Sequence, residues 1–316
     1  MKRRAPEASH RATRSRPAAS SGSRRPSSGP TSRFVVANRL RHHLLEWGDG
    51  PATVLLLHGF LEQAHVWDAV APRLAAAGYR VCALDWRGHG DSQWVGAGGY
   101  YHFADYVADL AALVRGLGGS AALIAHSMGG NAALLLAGSE PARVTALASI
   151  EGLGPLGADA SSAPDRYAGW LDDLSRQAQR GRARFSLVEA TKRLRASYPR
   201  LSDLTLRHLA RHGTRGRGAA RQWKFDPLHQ TRSPQPFYAE QARAFWRRVT
   251  CPVLYIEGEE SILRLPEADL AERLAVLRAE RATIAGSGHH PHLEQPDVLA
   301  EVLIGFLRRA LPGERR

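Results

Sequence analysis

From Phe34 onward the apolar positions of the chain alternate between two periods. "RFVVA" and "RHHLLEWG" read as a hairpin, "ATVLLLHG" as a buried strand, "VWDAVAPRLAAAG" as a helix and "YRVCALD" as a second buried strand. Helical spacing follows in "FADYVADLAALVRGLG", then a strand in "SAALIA", a helix in "MGGNAALLLAGSE" and a strand in "VTALASIE". Strands made almost wholly of Val, Leu, Ile and Ala need cover on both faces, and the amphipathic helices between them supply it. The pattern therefore predicts an α/β fold with a mostly parallel sheet between helical layers. Residues 155 to about 250 break the rhythm: they are helical, rich in Arg, and carry scattered aromatics such as Trp170, Trp223 and Trp246. The alternation resumes at "CPVLYIEG", passes a helix near 266–279 and the strand "ERATIAG", and closes on the helix "DVLAEVLIGFLRRAL". The economical division is a core of residues 34–153 and 251–316, interrupted after the sixth strand by a helical lid at 154–250.

With 316 residues, 44% of them hydrophobic, the chain can bury a full core. No apolar run is long enough to span a bilayer, and the first residues are basic without the apolar stretch of a secretory signal, so a cytoplasmic protein is expected. The net charge of +13 is unevenly distributed. Residues 1–33 hold nine basic residues and one acid, residues 155–250 hold nineteen against eight, and the remainder is net acidic. The first segment, rich in Ser, Pro and Arg, has too little apolar surface to offset the entropy of ordering and is expected to be a disordered tail. It also resembles an organelle transit peptide; alternatively, translation starts near Val35 or Val36. The basic lid segment carries no nucleic-acid-binding signature, so no nucleic-acid partner is expected. Cys82 and Cys251 lie in apolar strand-like contexts without metal or redox spacing and are expected to be buried free thiols.

The candidate chemistry lies at strand ends. "SAALIA" runs through "HSMGG" into a helix, so Ser127 sits at a sharp strand-to-helix turn with Ala125 and Gly129 two positions to either side. Such a turn strains the serine backbone and requires small neighbours where the chain doubles back, which is the geometry of a nucleophile elbow. Acyl transfer through a serine also needs fixed donors for the oxyanion. The backbone N–H groups of Phe60, in "LLLHGF", and Met128 are the natural pair. A general base is expected late in the chain, where "AGSGHHPHLEQP" offers His289. His290 and His292 raise a metal as an alternative, but no carboxylate or cysteine nearby in sequence completes a ligand set, and neither metal nor cofactor is expected.

Taken in order, "LLLHGF", "DWRGHGDS", "AHSMGG", the helical insertion and "GSGHHPHLEQP" resemble the α/β-hydrolase fold family over residues 34–312, close to its lidded serine hydrolase-like and epoxide hydrolase-like branches. The resemblance implies Ser127 as nucleophile, His289 as base and Phe60 and Met128 as oxyanion donors. Epoxide hydrolases of this fold attack with aspartate, so Ser127 implies instead an acyl-enzyme and hydrolysis of a carboxylic ester or related acyl bond. In many members the acid that orients the histidine lies in a turn of the form G-x-x-D after the strand matching "PVLYI", where this chain has Ser261. Other members carry it at the preceding strand end, which makes Glu151 the expected acid. Glu260, one residue out of register, is the alternative, followed by Glu257 and Glu259. The expected substrate is a small molecule with an apolar acyl or aryl group. The rival functions are a non-catalytic ligand-binding member of the fold and a carbon–carbon bond hydrolase or haloperoxidase-like enzyme.

Overall fold

The computed structural model of the chain describes residues 29–179 and 183–312. Strands β1 (Thr31–Ala37), β2 (Leu40–Trp47), β3 (Thr53–Leu57), β4 (Arg80–Leu84), β5 (Ala121–His126) and β6 (Val144–Ile150) precede the insertion. The insertion itself contains a small pair, β7 (Thr214–Arg215) and β8 (Gln222–Trp223), and β9 (Val253–Gly258) and β10 (Glu280–Ile284) follow it. Eight of these form one sheet in the order β1-β2-β4-β3-β5-β6-β9-β10. Its pairings are parallel from β4 to β10 and antiparallel at β1–β2 and β2–β4. The expected hairpin is present, and its first strand begins at Thr31, inside the segment expected to be tail; residues 1–28 lie outside the described residues.

The helices are α1 (Ala71–Ala76), α2 (Phe103–Gly116), α3 (Met128–Ser139), α4 (Ala163–Gln179), α5 (Leu187–Ser197), α6 (Asp203–His212), α7 (Ala239–Trp246), α8 (Glu267–Leu277), α9 (Pro291–Glu294) and α10 (Pro296–Ala310). They cover both faces of the sheet, as the strand composition requires. Within β5, Leu123 and Ala125 face one apolar layer with Leu110 of α2, Leu134 of α3 and Leu270 of α8. Ala122 and Ile124 face the other, with Leu74 of α1 and Leu303 and Phe306 of α10. Helix α7 lies inside the segment expected to be lid, yet it contacts α3 and buries Trp246 in the first layer. Leu123 is fully buried at the centre of the sheet. Leu123→Ala is therefore expected to cost about 2–5 kcal/mol, read from the urea midpoint at constant m-value; an unchanged midpoint would contradict the placement.

Cys82 is buried, and desolvation pushes its thiol up to about 12. Cys251 is half-buried rather than buried, and both thiols are free. Among the described residues no helix is long and apolar enough to cross a membrane.

Candidate active site

Ser127 joins β5 directly to α3 with φ 49° and ψ −113°, a conformation that costs a non-glycine residue about 1–3 kcal/mol. Its N–H donates to the carbonyl of Ile150 at the end of β6, 2.8 Å away, which holds the turn against the sheet. The tightness of the turn explains "MGG": a Cβ on Gly129 would stand 2.8 Å from the Leu57 carbonyl oxygen, and one on Gly130 2.4 Å from Ser149 Oγ.

The loop after β3 is held just as firmly. The Gly59 N–H donates to Glu62 Oε2 at 2.7 Å and the Leu61 N–H to His89 Nε2 at 3.3 Å, with Leu61 itself at φ 60°. The Trp86 indole donates to the His58 carbonyl at 2.9 Å. Met128 is the first residue of α3, a position whose N–H has no acceptor within the helix. Phe60, Ser127 and Met128 line one cleft of about 1130 Å³, walled by Tyr100, Tyr101 and Tyr106 and, from the insertion, by Arg166, Trp170 and Leu228. Charged groups stand among its aromatics: Asp173 and Arg232 pair at 2.8 Å beside Arg166.

Glu151 follows β6 at φ 54°, and its N–H extends the ladder to β9 by donating to the Ile256 carbonyl at 2.8 Å. Its carboxylate is almost completely buried. Oε1 accepts the Gly258 N–H at 2.8 Å, and Oε2 accepts both the Ser261 hydroxyl at 2.9 Å and His289 Nδ1 at 3.1 Å. Since a carboxylate can only accept, His289 carries its proton on Nδ1 and presents Nε2 as the basic nitrogen. Ser261, at the turn where the resemblance places an acid, thus donates to the acid on the neighbouring strand. The other carboxylates are engaged elsewhere. Glu260 is about half exposed and binds Arg200 at 2.7 Å; Glu257 is buried against Arg281, also at 2.7 Å; Glu259 accepts the Gly286 N–H at 3.1 Å.

One group near the site was not legible from the motifs. Glu62 is buried and accepts from His126 Nδ1 at 3.1 Å, while His126 Nε2 lies 2.9 Å from the His289 carbonyl oxygen. Both partners of the His126 ring are acceptors, so the ring is doubly protonated. Burial penalises the charge of each partner, but their attraction and hydrogen bond outweigh it: His126 is raised above its ordinary value and Glu62 is held well below its own. His290 and His292 stand 3.8 and 3.6 Å from Glu62 Oε1, and ligand atoms of Glu62, His126 and His292 lie within 4.8 Å of one another, so the fold corrects the expectation that no carboxylate completes a set with these histidines. The pair sets a pH dependence. A histidine bound more tightly to its proton in the native state contributes stability that is complete below its unfolded value near 6.5 and is lost as pH rises through the raised native value. The melting temperature of the wild-type protein is expected to fall from pH 6.5 to 9 more steeply than that of Glu62→Gln; equal slopes would refute the charged pair.

Fold and site together define an enzyme of the hydrolase class. A model of the α/β hydrolase fold matches residues 52–296, and the chain belongs to that family. A pyrethroid hydrolase of Sphingobium wenxiniae is 28% identical over 262 residues, which cover 80% of this chain and 86% of that one. A probable serine hydrolase of Drosophila melanogaster is 27% identical over 269 residues, 81% of each chain. The solved thioesterase domain of the curacin biosynthetic pathway superposes with a TM-score of 0.79 at 27% identity, covering 88% of this chain and all of its own.

Proposed function

We propose that the protein is a serine hydrolase that cleaves a carboxylic ester or related acyl bond through an acyl-enzyme. The observation that carries this reading is the part-buried hydrogen bond from His289 Nδ1 to Glu151 Oε2, whose acid ends the strand adjoining the one that carries Ser127 in elbow geometry. The His289 ring lies 4.9 Å from that of His126, the residue preceding Ser127. In the proposed cycle Ser127 Oγ attacks the acyl carbon as its proton passes to His289 Nε2. The carbonyl oxygen gains negative charge and takes hydrogen bonds from the Phe60 and Met128 N–H groups, each worth about 3–4 kcal/mol in the transition state. Collapse of the tetrahedral intermediate breaks the bond to the leaving group, which takes the proton from His289. Water, deprotonated by the same nitrogen, then attacks the acyl-enzyme and releases the acid. Glu151 Oε2 accepts from His289 Nδ1 and so stabilises the imidazolium as it forms.

The aromatic walls suit a substrate with an apolar acyl or aryl group, and the relatives' names, a pyrethroid hydrolase and a thioesterase, are compatible with acyl chemistry. Arg166 and Trp170 of α4 and Leu228, which wall the cleft from the insertion, act as part of its lid. A fluorophosphonate probe should label the protein stoichiometrically, with the adduct on Ser127 by peptide mass spectrometry. No labelling, or labelling elsewhere, would remove the reading and favour a non-catalytic ligand-binding protein.

A further inference from the structure

A cluster of histidines lies outside the catalytic machinery, where the insertion meets the core. Helix α6 carries His208 and His212 one turn apart, a spacing that puts both side chains on one helical face. Leu206 and Leu209 anchor the helix in the core, and Ser202 Oγ caps it by accepting the Thr205 N–H at 3.1 Å. The helix contacts the short 3-10 turn Ala64–Trp67, which carries His65, and Asp68 follows that turn. One ring nitrogen from each of His65, His208 and His212 lies within 4.8 Å of the other two. Asp68 Oδ2 accepts from His65 Nδ1 at 2.8 Å and from His208 Nε2 at 2.9 Å. Asp68 Oδ1 is buried without a hydrogen-bond partner among the described residues.

We infer that His65, His208 and His212, with the Asp68 carboxylate, form a binding site for a zinc-class divalent transition metal that ties the insertion to the core. The donor set of three imidazoles and one carboxylate suits zinc or cobalt. Zinc–nitrogen bonds of about 2.0–2.1 Å put tetrahedral ligand atoms roughly 3.4 Å apart, so modest side-chain rotations bring the three nitrogens into range. Lys224, the nearby cation, is held away by Asp91 at 2.6 Å. A metal here would pin α6 to the turn that follows the Phe60 loop, fixing the insertion over the cleft. The inference stands independently of the proposed catalytic function.

The test uses the full chain after treatment with a chelator. Calorimetric titration with zinc sulfate is expected to show micromolar binding at this site. Cobalt chloride is expected to give the intense visible bands of tetrahedral cobalt, and zinc to raise Tm by a few degrees through mass action. His208→Gln and His212→Gln should each weaken zinc binding at least about tenfold and remove the cobalt bands, whereas His290→Gln, in the Glu62 cluster, should keep both. Metal-free Tm values report whether the variants fold. Asp68→Asn, which retains all three imidazoles, is the second variant and should weaken binding in the same direction. Absence of zinc binding by the wild-type chain, or unchanged affinity and cobalt spectra in the folded variants, would overturn the site.

Discussion

Ser127→Ala is expected to leave a folded protein whose ester turnover has fallen by roughly 10⁶ in kcat, because no other group at the elbow can form the acyl-enzyme. The substitution removes one oxygen from a position whose positive φ is set by the turn, by Gly129 and Gly130, and by the hydrogen bond to Ile150, so the backbone has no reason to move. His289→Ala should cost nearly as much, since the same nitrogen takes the serine proton and later activates water. The measurement is steady-state kcat on a panel of aryl and acyl esters, with circular dichroism to verify folding. More than a few per cent of wild-type activity in either variant would sink the assignment.

Glu151→Gln is expected to lower kcat by about 10² to 10⁴ with a smaller effect on KM. Glutamine can still accept the Gly258 N–H, but when its NH₂ group faces His289 Nδ1 two donors oppose each other, and the ring loses the tautomer that leaves Nε2 basic. Glu260→Gln should cost less than about tenfold, because that carboxylate sits at the surface on Arg200. Ser261→Asp added to Glu151→Gln should recover part of the lost rate, since Ser261 Oγ already lies 2.9 Å from the Glu151 oxygen that binds the histidine. A crippled Glu260→Gln beside a nearly silent Glu151→Gln would reverse the assignment of the acid.

Most of the fold was legible because its signals are local. Continuous apolar runs such as "ATVLLLHG" and "SAALIA", too short for helices and set between amphipathic segments, read as covered parallel strands, and the elbow follows from small residues beside Ser127. The pairing of Glu151 with His289 was an expectation from family pattern alone; their meeting depends on β6 lying next to β9, a register that periodicity does not encode. Glu62 escaped notice for a related reason. In "HGFLEQ" it looks like an ordinary loop acid, and only the doubling back of the chain brings it against His126, 64 positions further along the sequence. The i,i+4 spacing in "RHLARH" is visible in the sequence, but His65 and Asp68 come from a different part of the chain. Helix α7 falls within the Arg-rich segment that the sequence marks as lid, and its burial rests on Ala242 and Trp246 alone.

Glu151 is fastened at both ends between two neighbouring parallel strands, by its own N–H to Ile256 and by its carboxylate to Gly258. The acid of the proposed triad is thus carried by the ladder of the sheet rather than by a surface turn, which can loosen at a small fraction of the global unfolding free energy. Heating should therefore inactivate the enzyme along the same curve on which the sheet melts. Loss of activity well before loss of structure, the usual signature of an active site that softens on its own, is not expected from this arrangement.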